Sequence, residues 1–324
     1  MRTDTRSWFE RRTYHGRHYT PSHVAAAKRG RTVSVVLPAR DEEETVGAIV
    51  QAIRERLMED VRLVDEIVVI DSHSTDRTAA RARAAGARVE RQGDILPELG
   101  DVPGKGEALW KSLAVTRGDV VAFCDADLRD FDPQFVVGLL APVLCEGVDF
   151  VKGCYDRPLA SGETVLPAGG GRVTELVARP LLNLYWPELA GFVQPLAGEY
   201  AGTRACLESV PFVSGYGVEI GLMIDLVEKY GLDRMAQVDL GVRRHRNSSD
   251  DQLSRMAAQI QLTVHSRLGK HRRMVCSEEP AGELVQFTRR GDAFDSATTE
   301  IVFGERPRMV DVRAGRRWPQ AVGL

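Results

Sequence analysis

The chain has 324 residues, with 43 Lys or Arg against 46 Asp or Glu and a formal charge of −3. At 43% hydrophobic and 27% charged residues the composition is that of a folded globular protein, which excludes wholesale disorder, and the balanced charge points to neither nucleic acid nor a membrane surface. The length exceeds a single compact core and predicts a large α/β body with an extended C-terminal region.

Residues 1–31 carry eight Lys or Arg against Asp4 and Glu10, with Trp8, Phe9, Tyr14 and Tyr19 interleaved. The segment is either a basic arm for an anionic partner or, the preferred reading, an extension packing its aromatics onto the body or a second subunit. From residue 33 the apolar pattern alternates between short β-rich runs and helical periodicity, the signature of βαβ units and a mostly parallel sheet. VSVVLP (33–38) predicts a first strand. Asp41 then opens a capping box with Glu44, and Val46, Ile49, Val50, Ile53 and Leu57 follow at helical spacing. EIVVI (66–70) predicts a buried strand ended by D-S-H-S-T-D, and an alanine-rich helix stops at Gly86.

ARVE predicts a short strand, GKGEALWKSLAV (104–115) a glycine turn opening a helix, and VVAFC (120–124) a strand that delivers Asp125-Ala126-Asp127. Residues 134–145 read as helix, VDFVKG as strand, 169–185 as three glycines followed by helix, 217–230 as helix, MAQVDL as strand and 252–268 as a long amphipathic helix. The tail from about 276 lacks clear periodicity and reads as an arm or an oligomer contact. Five cysteines, Cys124, Cys145, Cys154, Cys206 and Cys276, are scattered without a CxxC pair, which signals neither a disulfide framework nor a zinc site and fits reduced intracellular thiols. With no apolar leader and no run of membrane-spanning length, a cytoplasmic location is expected.

A parallel sheet places ligands at the carboxyl ends of its strands, so the residues following each strand carry the chemistry. After the first strand stands P-A-R-D-E-E, without the G-x-G-x-x-G of a dinucleotide site. D-x-D occurs at Asp125/Asp127 and at Asp130/Asp132. The first pair leaves an apolar strand and offers an oxygen-rich corner suited to Mg²⁺ or Mn²⁺ bridging a diphosphate; the second precedes Pro133 and a helix, where capping is its expected work. Asp71 and Ser72 either hold a base or ribose or supply ordinary turn chemistry. Lys105, on a glycine turn, either meets a phosphate or is a loop lysine. G-G-G-R-V-T (169–174) sets backbone N–H groups, Arg172 and Thr174 at a helix start, suited to a phosphate or carboxylate, or is a flexible turn. V-R-R-H-R-N (242–247) is either a solvated basic loop or the source of a histidine that completes a metal sphere begun by two aspartates. S-G-Y-G-V-E-I-G (214–221) sets Tyr216 and Glu219 at a helix mouth, where the glutamate orients a sugar hydroxyl or complements the helix dipole.

Together these strings resemble the GT-A glycosyltransferases, and within them the glucosyl-3-phosphoglycerate and mannosyl-3-phosphoglycerate synthases of actinobacterial type. The resemblance covers roughly residues 30–270 and rests on VSVVLPARDEE, the D-S-x-S-T-D turn, PGKGEALW, D-A-D, GGGRVTELVARPLL, QPLAGEYA, GYGVEIGL and LGVRRHRN. It implies a GT-A fold, a Rossmann-like mostly parallel sheet flanked by helices, divided into an N-terminal arm (1–31), a nucleotide-sugar-binding half (32–155), an acceptor-binding half (156–275) and a C-terminal tail (276–324). It also implies a divalent metal (Mg²⁺ or Mn²⁺), a nucleotide-diphosphate hexose donor (GDP-mannose, GDP-glucose or UDP-glucose), 3-phosphoglycerate as acceptor through its 2-hydroxyl, retention of configuration, and a homodimer. Carried over by position, Pro38, Ala39, Glu42, Ser72, Lys105, Asp125, Ala126, Asp127 and Tyr216 would line the nucleotide-sugar pocket. Asp127 and His245 would hold the metal. Gly171, Arg172, Thr174 and Asn247 would receive the acceptor, and Asp127, Glu219 and Arg243 would serve catalysis. Arg40 and His73 depart from the usual pattern, His73 standing where glycine is common, which bears on base selectivity.

No carboxylate is poised as a nucleophile, which favours same-face attack over double displacement through Glu219. Overall likeness leans towards the mannosyl synthase. The competing readings are a GT-A transferase for a lipid phosphate and a silent sugar-nucleotide-binding protein. A nucleotidyltransferase fits less well, because its glycine-rich loop normally follows the first strand.

Overall fold

The structure, a computed structural model, describes residues 1–156, 159–161, 164–166, 171–242, 250–275, 278 and 280–316. In chain order its strands are β1 (Thr13–His15), β2 (Val33–Ala39), β3 (Glu66–Asp71), β4 (Arg88–Arg91), β5 (Val120–Phe123), β6 (Phe150–Asp156), β7 (Leu159–Ser161), β8 (Thr164–Leu166), β9 (Tyr200–Thr203), β10 (Phe212–Val213), β11 (Met235–Val242), β12 (Glu283–Arg290), β13 (Ala293–Glu300) and β14 (Glu305–Arg306). The helices are α1 (Thr3–Arg12), α2 (Pro21–Ala27), α3 (Val46–Ile53), α4 (Thr78–Ala85), α5 (Lys105–Val115), α6 (Gln134–Cys145), α7 (Arg179–Tyr185), α8 (Arg204–Glu208), α9 (Val218–Tyr230), α10 (Asp250–Lys270) and α11 (Met309–Arg313).

Eight strands form one sheet in the order β1-β11-β6-β9-β5-β2-β3-β4. Its neighbouring pairs are parallel except at β9, which runs antiparallel to both β5 and β6. The other seven strands therefore share one direction and present their carboxyl ends along one edge. Side chains alternate between two cores, as a sheet covered on both faces requires. Val33, Val35 and Leu37 pack with Ile49, Leu139 and Val143 on one face. Val36, Phe123 and Phe150 pack with Leu109, Trp186 and Leu222 on the other.

The N-terminal segment packs onto the body. Trp8 is 1% exposed, donates its indole N–H to the Met235 carbonyl at 2.9 Å, and packs at a 42° tilt against Phe192 with ring centroids 4.5 Å apart. β1 then extends the sheet beside β11. Burying a side chain of this size contributes on the order of 3 kcal/mol, which overrides the basic character of the surrounding residues. The tail is partly built into the fold. After the exposed antiparallel hairpin β12–β13, β14 pairs antiparallel with β10, and Met309 of α11 is 1% exposed. Residues 305–313 are thus built into the body, through short elements that give no periodic signal.

Candidate functional site

The loop after β2 does not form the predicted capping box. Asp41 sits at φ +56°, and α3 begins at Val46 without a side-chain cap. The Asp41 carboxylate is taken up across the edge, accepting from the Thr75 N–H at 2.7 Å and the Thr75 hydroxyl at 3.2 Å. Reciprocally, the N–H groups of Asp41, Glu42 and Glu43 donate to Ser74 Oγ, Thr78 Oγ1 and Asp76 Oδ2 at 3.0, 2.7 and 3.1 Å. The turn after β3 therefore braces the loop after β2, and Asp71 closes that turn by accepting from the Ser74 N–H at 3.1 Å. Ser72 and His73 are left facing a cavity.

His73 lies at φ +62°, a conformation that explains why glycine suits this position. Its Nε2 is 2.7 Å from Asp101 Oδ2. Ser72 Oγ donates to Gln92 Oε1 at 2.9 Å, and Gln92 Nε2 donates to Asp101 Oδ1 at 2.8 Å. These bonds fix one end of the cavity.

At the other end, α5 presents Lys105, whose Nζ lies 2.7 Å from Asp125 Oδ1 and 3.1 Å from Glu219 Oε1. Burial works against the Lys105 charge, but Asp125, Glu219 and Glu199 outweigh it and hold the ammonium pKa well above its usual value. Gly198, just before β9, makes the approach possible, because a Cβ there would collide with Asp125 Oδ2 and Lys105 Nζ. The triplet itself is held by Thr45, whose hydroxyl donates to the Ala126 carbonyl at 2.6 Å. Behind the cluster, Lys152 of β6 is 1% exposed, and its Nζ lies 4.5 Å from the Tyr200 ring centroid with no hydrogen-bond acceptor among the described residues. Burial holds its pKa down at about 7; Lys105 adds to that, while Glu219, Glu199 and Asp125 oppose it.

The cavity, of about 510 Å³, is lined by Pro38, Ala39, Glu42, Ser72, Lys105, Asp125, Ala126, Asp127 and Tyr216. All nine positions assigned to a nucleotide-sugar pocket by resemblance are thus brought together. Glu219 is not among the lining residues; its side chain is 6% exposed and lies behind Lys105. Gly171, Arg172 and Thr174 do not line the cavity either. Gly171 turns at φ +87°, and Thr174, 7% exposed, opens the π-helical stretch Thr174–Ala178 that leads into α7. β11 ends at Val242 on the same sheet edge, and Arg243, His245 and Asn247 lie outside the described residues.

Among the described residues no group of three His, Cys, Asp or Glu side chains is arranged to hold a metal. Within the triplet, Asp125 accepts from Lys105, and Asp125 and Asp127 both bring to the cavity hard carboxylate oxygens of the kind Mg²⁺ and Mn²⁺ take. Of the second D-x-D, Asp132 accepts from the N–H of Gln134, the first residue of α6, at 2.8 Å.

Sequence reasoning missed Gln92, Pro103, Gly215 and Gln259, which also line the cavity. Gln259 comes from the middle of α10 and accepts from the Tyr216 N–H at 2.8 Å. A lone glutamine within an amphipathic helix gives no signal; only the packing of α10 on α9 brings it to the site.

The profile of Glycosyl transferase family 2 matches residues 34–175. The chain is 50% identical over 307 residues to a glucosyl-3-phosphoglycerate synthase of Mycolicibacterium smegmatis, covering 94% of this chain and 98% of the relative. It superposes with a TM-score of 0.88 on the crystal structure of mannosyl-3-phosphoglycerate synthase from Rubrobacter xylanophilus, at 42% identity over 96% of this chain and 98% of the other. A glucosyl-3-phosphoglycerate synthase from Mycobacterium tuberculosis, crystallised with Mn²⁺, UDP and phosphoglyceric acid, gives a TM-score of 0.80 at 47% identity over 91% and 96% of the two chains. With this sheet, this cavity and likeness over nearly its whole length, the chain belongs to the glucosyl-3-phosphoglycerate and mannosyl-3-phosphoglycerate synthase family of GT-A glycosyltransferases.

Proposed function

We propose that the cavity binds a nucleotide-diphosphate hexose with a divalent metal, and that the protein transfers the hexose, with retention, to the 2-hydroxyl of 3-phosphoglycerate. The observation that carries this reading is the ammonium of Lys105, held between Asp125 and Glu219 at the cavity wall beside Asp127. Negative charge develops on the diphosphate as the sugar–oxygen bond breaks, and a fixed cation stabilises it where it appears. Asp127 and His245 would hold the metal, which when bound would supply further charge neutralisation at the diphosphate. Ser72, Gln92 and His73 bound the opposite end, which suits the base and ribose. Gly171, Arg172, Thr174 and Asn247 receive the phosphate and carboxylate of the acceptor, and Arg243 stands by the phosphates.

Glu219 supports same-face attack. Buried behind Lys105 and paired with it, the carboxylate is spent on holding the ammonium, and it does not line the cavity where a nucleophile would have to reach the sugar. The acceptor hydroxyl then gives its proton to the leaving phosphate.

The relative at 50% identity, a glucosyl-3-phosphoglycerate synthase, favours glucose, and the Mycobacterium tuberculosis synthase crystallised with UDP-glucose favours that donor. The mannosyl synthase structure, at a TM-score of 0.88, favours mannose as the second reading. Incubating the protein with GDP-mannose, GDP-glucose or UDP-glucose and 3-phosphoglycerate, with and without Mg²⁺, and analysing the products separates the two. Binding of donor without release of nucleoside diphosphate in any combination would reduce the protein to a sugar-nucleotide-binding role and overturn the proposal.

A further inference from the structure

The first turn of α5, which carries Lys105, has no side-chain cap of its own. It follows Gly104 at φ +138°, so local chemistry does not fix where the turn points. Its position is set from the far end of the chain. Glu107, fully buried, receives a bidentate pair from Arg306 of β14 at 2.6 and 2.7 Å. A third Arg306 bond runs to the Leu99 carbonyl at 2.7 Å, and its guanidinium lies 5.3 Å from the Trp110 ring centroid. The next residue, Pro307, accepts from the Trp110 indole N–H at 2.7 Å.

The same stretch of chain also locates the segment 213–216 that packs against this turn. Ser214 donates its N–H to the Gly304 carbonyl at 2.8 Å, and its own carbonyl accepts from the Glu107 N–H at 3.1 Å. Gly106 packs so closely on the Val213 carbonyl that a Cβ could not fit. Glu305 pairs with the buried Arg267 of α10, the helix that brings Gln259 to Tyr216. Residues 304–307 are therefore the common support of α5, the 214–216 segment and α10.

We propose that Arg306 is a positioning residue for the transfer reaction, acting through Glu107 to hold Lys105 at the donor diphosphate. The inference rests on the reading of Lys105 as a diphosphate contact. Arginine is suited to the task because its planar fork grips both carboxylate oxygens, which a lysine cannot do. Without the fork, Glu107 retains Lys111, 3.4 Å away, but the turn loses its alignment, and a misplacement of about 1 Å at such a contact costs on the order of a hundredfold in rate.

The test is a double-mutant cycle read as the dissociation constant of UDP with Mn²⁺, measured by calorimetry on folded full-length protein. Arg306→Met and Lys105→Met are each expected to weaken UDP roughly tenfold, and Arg306→Met to add less than about twofold on the Lys105→Met background, since both changes remove one interaction. Arg306→Lys, which keeps the charge beside Glu107, is expected to fall between and takes the place of the methionine variant in the cycle if that variant does not fold. Wild-type affinity in a folded Arg306 variant, or a loss that multiplies in full with that of Lys105→Met, overturns the inference while leaving the donor site intact. If Lys105→Met binds UDP as tightly as the parent, the reading of the site falls and takes the inference with it.

Discussion

Replacing Lys152 by Met should make the protein more stable, and by an amount that depends on pH. Its ammonium has no hydrogen-bond acceptor among the described residues, and its pKa is held down at about 7, against about 10.4 for a lysine in the unfolded chain. Below pH 7 both states carry the proton, and the whole penalty of burying the cation, on the order of 5 kcal/mol, weighs on the folded state. Between pH 7 and about 10 the unfolded chain binds a proton that the folded chain does not, so stability rises with pH by about 1.4 kcal/mol per pH unit at most. From pH 7 to pH 9 the parent should gain about 2 kcal/mol from this one residue, because half of the folded molecules are protonated at the start. Methionine keeps the length and drops the titration. Urea unfolding of both proteins at pH 7, 8 and 9, followed by fluorescence of the buried Trp8, Trp110 and Trp186, isolates the term, since other titrations cancel in the difference. An advantage for the variant that stays constant across this range would refute the reasoning.

Asp225 behaves in the opposite sense. Burial would raise its pKa, but His271, Arg267 and Lys270 overcome that and hold it at about 2. Its stabilisation is therefore complete above about pH 4, the unfolded value, and is lost as pH falls towards 2. Asp225→Asn should cost about 3 kcal/mol at pH 7, because it removes the charge of one of the two carboxylates, Asp225 and Glu305, that pair with the fully buried Arg267; equal urea midpoints at pH 7 would exclude this. Lys105→Met leaves Asp125 and Glu219 without the cation between them and should lower turnover by at least about a hundredfold, read as release of nucleoside diphosphate. Full chelation should abolish turnover and Mn²⁺ or Mg²⁺ restore it, with Asp127→Ala unrescued at any metal concentration; normal turnover in that variant would remove Asp127 from the metal site.

The elements that were legible in the sequence are those whose burial leaves a periodic trace. β2, β3 and β5 read as continuous apolar runs because both faces are covered, and α6, α9 and α10 announce themselves by spacing. The triplet Asp125-Ala126-Asp127 was separable from Asp130/Asp132 by strand context alone. What stayed hidden depends on partners distant in sequence. The Asp41 capping box failed because Thr75, on the next loop, competes for the carboxylate. Residues 305 and 306 gave no pattern because two residues of strand have no period, yet each carries a buried ion pair. Gln259 and Gln92 reach the cavity through tertiary packing, which no local spacing encodes.

The pairing of β1 with β11 joins Thr13 to Gln237, and β9 enters between β5 and β6 some 80 residues after β5. On a ribosome, the first strand of the sheet must therefore wait while more than 200 residues are synthesised before its neighbour exists. Closure over so long a loop carries a high entropic barrier and slows folding relative to a chain of local contacts. Until β11 emerges, the Trp8 indole N–H lacks its acceptor at Met235 and the edge of β6 that pairs with β11 is uncovered. The nascent chain is thus most exposed to self-association in the interval between β6 and β11, and a chaperone that acts on this protein would find its substrate there.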